Sequence, residues 1–309
     1  MLARTSINRY EAVLSNRSGY FPCCTISEGK IKELISKSSE GRYLSMLDLM
    51  NVHKTFNLGT INEKKALNGV ELHLDEGDFA TVIGGNGAGK STVLNAIAGV
   101  WPIDSGRILI DGQDVTGLPE HKRAAVLGRV FQDPMTGTTA TMEIQENLAL
   151  AARRGQRRGL SWGITKKERA QYRELLATLD LGLEDRMTSK VGLLSGGQRQ
   201  ALTLLMATLK KPKMLLLDEH TAALDPKTAA KVLALSDQII EKHHLTAMMV
   251  THNMRDAIVH GNRLIMMNEG KIILDIKGEE KKKLTVEDLL RKFEEVSGEE
   301  FANDKALLG

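Results

Sequence analysis

Hydrophobic and polar residues follow two different spacings along this chain. From Met46 onward they alternate in two segments, with apolar residues at Leu47, Leu49 and Val52 and again at Val70, Leu72 and Leu74. A period of two is typical of strands with one buried face. We therefore predict antiparallel strands, with one turn at Asn68 and Gly69 and another across residues 75–78.

Three short apolar runs predict further strands. They span residues 79–83, 214–217 and 247–250. The run at 214–217 is uninterrupted, as expected of a parallel strand that is buried on both faces. Because each run leads directly into polar or glycine-rich sequence, the candidate chemistry falls at the ends of these strands.

Helical spacing appears in the second half of the chain. We predict helices at residues 146–152, 166–181 and 199–209, and an amphipathic helix after Leu284. That last segment carries apolar residues at 286, 289, 290, 293 and 296, a stripe along one helix face. We expect it to pack against the core.

Composition excludes several classes of protein. The 309 residues are 42% hydrophobic and 26% charged, which is ordinary for a soluble globular protein. No run approaches the roughly 18 to 20 apolar residues of a membrane-spanning helix. A net charge of +3 and 4% aromatic residues argue against nucleic acid as a partner. The neighbouring Cys23 and Cys24 suit neither a disulfide framework nor a zinc site, which favours a reducing, cytoplasmic compartment.

The first 45 residues differ from the rest, because they are Ser-rich and carry no motif. We expect a disordered extension or a misassigned start. Codons for Glu40-Gly41-Arg42 can read GAA-GGG-AGG, which resembles a ribosome-binding site upstream of Met46. A targeting segment is disfavoured, since the stretch lacks a central apolar region and contains acidic residues.

A phosphate-binding loop follows the strand at 79–83. Its residues are Gly84, Gly85, Asn86, Gly87, Ala88, Gly89, Lys90, Ser91 and Thr92. The glycines let the backbone wrap closely around phosphate oxygens, and the N–H groups at the start of the next helix point at the anion. In this pattern Lys90 reaches the β- and γ-phosphates and Ser91 binds Mg²⁺. The alternative is a chance glycine-rich turn.

Two carboxylates follow the run at 214–217. Asp218 and Glu219 lie where an open α/β sheet binds its ligand, at the C-terminal end of a strand. Asp218 is a candidate for the magnesium shell, and Glu219 for the base that polarises the attacking water. A solvated turn is the competing interpretation.

The sequence Leu194-Ser195-Gly196-Gly197-Gln198 indicates which class of nucleotide-binding protein this is. Together with the phosphate loop, it resembles the signature of the ATP-binding cassette (ABC) ATPases, and most of the chain fits that family. The resemblance implies that these residues bind the γ-phosphate of an ATP held by a second subunit. Two ATP molecules would then join a head-to-tail homodimer.

Four further positions match the family pattern. The resemblance implies that Gln132 contacts magnesium and the attacking water, that His252 contacts the γ-phosphate, that Phe56 stacks on adenine and that Asp225 lies at the dimer interface. Taken alone, each is more often a surface or core residue. His220 stands where many relatives carry proline or a small residue, but no catalytic group is missing.

The expected fold is an α/β P-loop NTPase with a RecA-like, mostly parallel sheet. It also has an N-terminal antiparallel β-subdomain and an inserted α-helical subdomain. We assign the ATPase domain to residues 46–278, its helical subdomain to about 133–194 and a helical tail to 279–309. In the family the helical subdomain docks the membrane protein. Its basic run at residues 153–158 is interpreted as a solvated loop, with acidic headgroups as the alternative.

The resemblance implies a magnesium-dependent ATPase of a bacterial importer, with ATP and Mg²⁺ as cofactors. Its partners would be a separate membrane permease at the cytoplasmic face of the plasma membrane and, indirectly, a substrate-binding lipoprotein. The cargo would be a small solute, with an aromatic amino acid as one candidate. An exporter, a soluble ABC ATPase of translation or DNA repair, and a nucleotide sensor without turnover remain as alternatives.

Overall fold

The computed structural model describes residues 45–156 and 163–297. The expected N-terminal extension, Arg157 and Arg158 of the basic run, and the end of the tail lie outside the described residues.

The first sheet is antiparallel and contains the predicted N-terminal strands. Its four strands are β1 (Ser45–Phe56), β2 (Lys64–Asp75), β4 (Ser105–Ile110) and β5 (Gln113–Asp114), in the order β2-β1-β4-β5. Leu47 pairs with Leu74 and Leu49 with Leu72. These leucines are buried, so the period of two identified the inward face correctly.

The predicted turn at Asn68 and Gly69 is wrong, because both residues lie inside β2. The register shifts here: Val52 pairs with Val70, while His53 pairs with Asn68. Gly69, with φ of 73°, is the extra residue of this irregularity, and glycine tolerates that conformation. The turn predicted at residues 75–78 is confirmed by a hydrogen bond from Asp78 N to Asp75 O of 3.1 Å.

The second sheet is the mostly parallel sheet expected of the fold. Its strands are β3 (Phe79–Ile83), β6 (Leu127–Val130), β7 (Met214–Asp218), β8 (Thr246–Val250), β9 (Arg263–Asn268) and β10 (Lys271–Lys277). Their order is β10-β9-β3-β8-β7-β6, and only β10 runs antiparallel to its neighbour. Every residue of β3 and β8 is buried, because helices cover both faces of such a sheet.

The described helices fall between these strands and after them. They are α1 (Lys90–Ala98), α2 (Glu120–Arg123), α3 (Ile144–Ala152), α4 (Lys166–Ala177), α5 (Gly196–Thr208), α6 (Pro226–His243), α7 (Met254–Val259), α8 (Glu279–Lys282) and α9 (Val286–Ser297). None of the helices in the described ranges is both long and apolar enough to cross a membrane.

Two predicted helix boundaries are wrong by three residues or more. Helix α4 ends at Ala177 instead of continuing to residue 181, because Asp180 and Gly182 both adopt positive φ angles, of 52° and 67°, which a helix cannot contain. Helix α5 begins at Gly196, three residues before the predicted start, because the Ser195 side chain caps it.

Helices α3 and α4 share an apolar cluster that is separate from the sheet. It includes Leu148 and Leu176 from these helices and Leu202 and Leu205 from α5. Helices α3 and α4 are therefore packed on α5. The helix that starts at the signature residues is thus part of the hydrophobic core of the helical segment.

The basic run is not a solvated loop at its first two residues. The Arg153 guanidinium lies 3.1 Å from the Glu168 carboxylate, and Arg154 donates to Ala207 O over 3.2 Å. Both arginines thus tie the end of α3 to neighbouring helices, and that part of the prediction is wrong.

The C-terminal tail packs on the second sheet, as predicted. Leu289 and Phe293 of α9 are buried and contact a cluster with Ile83, Met254 and Leu264. Its apolar stripe therefore covers the sheet near the end of β3, next to the phosphate loop.

Candidate active site

A cavity of about 300 Å³ lies at the C-terminal end of β3. It is lined by Phe56, Lys64, Ala66, Asn86, Gly87, Ala88, Gly89, Lys90, Ser91, Thr92, Glu219 and His252. The fold thus brings most of the predicted phosphate loop together with the predicted base, histidine and aromatic residue. Gly84, Gly85, Gln132, Asp218 and Asp225 are not among the lining residues.

Close backbone packing explains two glycines of the loop. A Cβ atom on Gly84 would lie 2.2 Å from Met267 O, and one on Gly89 would lie 2.5 Å from Ala66 O. Both distances are far below van der Waals contact. The loop is therefore pressed against β9 and β2, which holds it in place before any ligand arrives.

Lys90 spans the loop that precedes it. Its Nζ donates to Gly84 O over 2.7 Å and to Gly85 O over 3.1 Å, and only 5% of the residue is exposed. Burial lowers the pKa of Lys90, while the Glu219 and Asp218 carboxylates oppose that change. The Lys90 ammonium group lines the cavity. An anion bound there would compete with the two carbonyl oxygens for its hydrogen bonds.

The side chains of Glu219 and His252 contact each other at the wall of the cavity. Their Oε1 and Nε2 atoms are 2.7 Å apart, and the Glu219 side chain is 11% exposed. Glu219 N donates to Val250 O over 3.0 Å, which extends the pairing of β7 with β8. The φ angle of Glu219 is 45°, an unfavourable conformation for a residue with a Cβ. This backbone conformation sets the direction in which the Glu219 side chain extends from the end of β7.

Asp218 faces a cation that sequence reasoning missed. Arg129 Nη2 lies 3.2 Å from Asp218 Oδ2 and 2.8 Å from Asn95 Oδ1. Its guanidinium also lies over the Phe131 ring, 4.6 Å from the centroid. The only signal in the sequence was a charged residue within a short, otherwise uncharged strand.

The donor chemistry fits the expected magnesium ion. Ser91, Asp218 and Gln132 offer a hydroxyl, a carboxylate and an amide oxygen, the hard ligands that Mg²⁺ prefers. Among the described residues no group of three or more His, Cys, Asp or Glu side chains is arranged to hold a metal.

Gln132 is exposed and follows β6 without lining the cavity. The preceding residue is tied to α5, because Gln200 Nε2 donates to Phe131 O over 3.1 Å. Gln200 is fully buried. The predicted glutamine loop is thus connected to the helix that the signature residues begin.

The signature residues lie away from the cavity. Ser195 caps α5 by accepting from Gln198 N over 3.3 Å, and the Gln198 side chain accepts from Ser195 N over 3.2 Å. A Cβ atom on Gly197 would lie 2.1 Å from Thr228 Cγ2 of α6. A side chain at position 197 would therefore force a shift in the packing of α5 on α6, apart from any contact with an anion. Leu194 is buried just before this helix.

Asp225 starts the neighbouring helix α6. Its carboxylate accepts from Thr228 N over 3.1 Å, and hydrogen bonding with Thr228 lowers the pKa of Asp225. The residue is exposed. Thr228 also packs against the buried Gly197, so the starts of α5 and α6, which carry the two predicted interface elements, are adjacent.

Three residues around the predicted adenine contact were not identified from the sequence. Lys64 and Ala66 line the cavity. The Trp101 and Phe56 rings form a T-shaped contact, with a centroid distance of 4.9 Å and an interplanar angle of 81°. No motif marks these positions, because they depend on how β2 and the segment after α1 fold over the loop.

Known proteins resemble this chain over most of its length. Residues 67–222 match the family model described as ABC transporter. A tyrosine transport ATP-binding protein of Clostridioides difficile is 43% identical over 249 residues, covering 81% of this chain and 99% of that protein. A spermidine/putrescine import ATP-binding protein of Haemophilus influenzae is 33% identical over 74% of this chain, which spans 57% of that relative's length.

Solved structures agree with the sequence relatives. A dimeric ATP-binding cassette in a post-hydrolysis state, bound to ADP and Pi, has a TM-score of 0.65 and 31% identity, covering 75% of this chain and 98% of the other. The ADP conformation of an ATP-binding cassette of an ABC transporter has a TM-score of 0.66 and 27% identity, covering 82% and 99%. The predicted fold and family are confirmed: the chain belongs to the ABC transporter family, as one of its ATPases.

Proposed function

We propose that this chain is the ATP-hydrolysing subunit of a bacterial ABC importer and that it works as a homodimer on a separate permease. The observation that carries the ATPase role is the Glu219–His252 pair, whose 2.7 Å contact lies in the wall of the phosphate-loop cavity. A carboxylate aimed into a phosphate site and held by a histidine has the arrangement of a general base with its orienting partner.

The cavity would bind ATP in a defined orientation. The amides of the loop and the Lys90 ammonium would take the phosphates, while Phe56 would stack on the adenine at the other end of the cavity. The T-shaped contact with Trp101 limits the orientations open to the Phe56 ring. In this orientation the γ-phosphate would lie near Glu219 and His252, which line the same cavity.

Hydrolysis would use the chain's own residues in separate roles. Glu219 would accept a proton from the attacking water, and His252 would hold the carboxylate and contact the γ-phosphate. Ser91, Asp218 and Gln132 would hold Mg²⁺. When bound, this ion neutralises charge on the transferred phosphoryl group.

The dimer follows from the position of the signature residues. Ser195, Gly196 and Gly197 begin α5 but do not line the cavity of their own subunit among the described residues. The N-terminus of α5 would bind the γ-phosphate held by a second copy. Asp225, at the adjacent start of α6, would lie at that interface. The dimeric cassette with 31% identity supports this arrangement.

The partners and the cargo rest on the relatives. A tyrosine transport ATP-binding protein that is 43% identical favours import of a small solute such as an aromatic amino acid. A permease would bind at the exposed Gln132 and at the helical segment of about 133–194. The subunit would thus lie at the cytoplasmic face of the plasma membrane, and a substrate-binding lipoprotein would supply the cargo. The ATPase domain would span residues 46–278, with the tail at 279–309 packed on it.

Mass spectrometry of proteins that co-purify with the native chain tests this proposal. The chain would carry a C-terminal tag and be extracted from native membranes with a mild detergent. We expect a permease in stoichiometric amount and a lipoprotein whose ligand identifies the cargo. A permease without a lipoprotein would favour an exporter. Recovery only with ribosomes or DNA would overturn the transport role in favour of a soluble ABC ATPase.

A further inference from the structure

Arg129 occupies an unusual position in the second sheet. It is the only charged residue of β6, and its side chain is 14% exposed. Burying an ion pair with Asp218 in place of a well-packed apolar side chain brings little net stability. Stability alone therefore does not account for an arginine here.

Arg129 contacts one of the three residues assigned to magnesium and reaches the backbone of the second and the chain neighbour of the third. Nη2 contacts Asp218 directly at 3.2 Å. The same Nη2 donates to Asn95 Oδ1, and Asn95 Nδ2 donates to Ser91 O over 2.7 Å. The guanidinium plane covers Phe131, which immediately precedes Gln132.

The guanidinium is held through one nitrogen and one ring. Its Nε is buried and finds no hydrogen-bond partner among the described residues. Among the described residues, its hydrogen bonds run from Nη2 to Asp218 and Asn95, and its plane lies over the Phe131 ring. The positive charge of Arg129 therefore lies next to the Asp218 carboxylate. Because the Asp218 side chain is only 15% exposed, little water screens the attraction between the two charges.

We propose that Arg129 is a positioning residue of the magnesium site: it holds the Asp218 carboxylate and balances its charge until the metal arrives with the nucleotide. This inference rests on the proposed role of Asp218. The guanidinium reduces the negative potential that a cation meets at Asp218, so Arg129 weakens metal binding in the absence of nucleotide phosphates. Divalent cations are thus taken up with the nucleotide instead of before it.

The test compares metal binding by three purified full-length variants and the natural chain. Arg129→Met removes the charge at similar length, Arg129→Gln removes it but keeps a hydrogen-bond donor, and Arg129→Lys keeps the charge. The probe is Mn²⁺, whose free concentration is read by electron paramagnetic resonance with and without saturating ADP. Thermal unfolding with and without MgCl₂ provides a second readout that needs no activity.

In the absence of nucleotide, we expect Mn²⁺ to bind about tenfold more tightly to Arg129→Met and Arg129→Gln than to the natural chain. A change of this size is on the scale expected when one nearby charge is removed at intermediate dielectric. Arg129→Lys should keep the natural affinity. Without nucleotide, MgCl₂ should raise the unfolding temperature of the two neutral variants but not that of the natural chain. The neutral glutamine variant keeps the test valid if Arg129→Met does not fold.

The double variant Arg129→Met/Asp218→Asn separates this inference from the proposed function. We expect the Arg129→Met effect on Mn²⁺ to disappear when Asp218 is already neutral. If Asp218→Asn changes Mn²⁺ binding but Arg129→Met does not, the inference about Arg129 is overturned. If Asp218→Asn itself leaves Mn²⁺ binding with ADP unchanged, the assignment of Asp218 to the metal fails, and the inference fails with it.

Discussion

His252 Nε2 and Glu219 Oε1 are 2.7 Å apart although they follow different strands. Asp218, the last residue of β7, pairs with Val250, the last residue of β8. The parallel register thus sets the two side chains beside each other at one edge of the sheet. Because Glu219 also holds a positive φ angle of 45°, the pair depends on the surrounding fold for its geometry.

Replacement of Glu219 by Gln should abolish turnover without abolishing ATP binding. A general base contributes about 100-fold to 10,000-fold to the rate, and the amide cannot accept the proton. We expect a loss of this size in phosphate release, together with an ATP-dependent dimer in size-exclusion chromatography. Glu71→Gln, at an exposed position of β2, is the matched control. Unchanged hydrolysis in Glu219→Gln would remove Glu219 as the base and leave the nucleotide-sensor alternative open.

Removal of the Phe56 ring should weaken nucleotide binding. Stacking of a base on an aromatic ring contributes about 1 to 3 kcal/mol, so Phe56→Ala should raise the dissociation constant of ADP by roughly 5-fold to 150-fold in calorimetry. Phe56→Tyr keeps the ring and should bind normally. Equal affinity of the alanine variant would show that Phe56 serves only its contact with Trp101.

Addition of one methyl group at Gly197 should destabilise the packing of α5 on α6. The new Cβ would lie 2.1 Å from Thr228 Cγ2, and overpacking of this kind costs about 1 to 3 kcal/mol. Chemical denaturation of Gly197→Ala should show this loss. The double variant with Thr228→Ser, which removes Cγ2 but keeps the hydroxyl, should recover most of it.

A control separates this packing effect from a general effect of alanine. A Cβ atom on Gly117 would meet no atom within 4 Å beyond its own chain neighbours, so Gly117→Ala should leave the free energy of unfolding nearly unchanged. If Thr228→Ser does not rescue Gly197→Ala, the clash is not the cause.

His220 should make the protein less stable in mild acid. It is buried and forms a 3.0 Å hydrogen bond with Ser236 Oγ, which itself donates to Val232 O. Burial, with a smaller contribution from nearby His260, lowers the pKa of His220 to about 4. In the unfolded chain His220 is therefore protonated near pH 6.5, whereas in the folded chain it stays neutral down to about pH 4. The free energy of unfolding therefore decreases as the pH falls through that window.

The variant His220→Gln isolates this contribution, because glutamine keeps a donor for Ser236 but does not titrate. Between about pH 7 and about pH 5 the natural chain should lose roughly 2 kcal/mol more than the variant in urea denaturation. Parallel loss of stability in both proteins would show that His220 is not the group responsible.

The local features of the site could be predicted from the order of residues. Glycines at the phosphate loop, a buried strand ending in Asp218 and Glu219, and Ser195 before a helix each express a rule that acts over a few residues. For the same reason the failures were local too. Asn68 and Gly69 carry a turn pattern, yet the pairing of β1 with β2 absorbs them as an irregularity within a strand.

Contacts between distant segments were decided by the tertiary structure. The pairing of Arg129 with Asp218, the bond from Gln200 to Phe131 and the contact of Trp101 with Phe56 join residues whose spacing carries no common pattern. Backbone preferences and hydrophobic periodicity are properties of neighbouring residues, so they determine loops, strands and helix faces. Which side chains then meet depends on sheet order and helix packing, and these are set only when the whole core is buried.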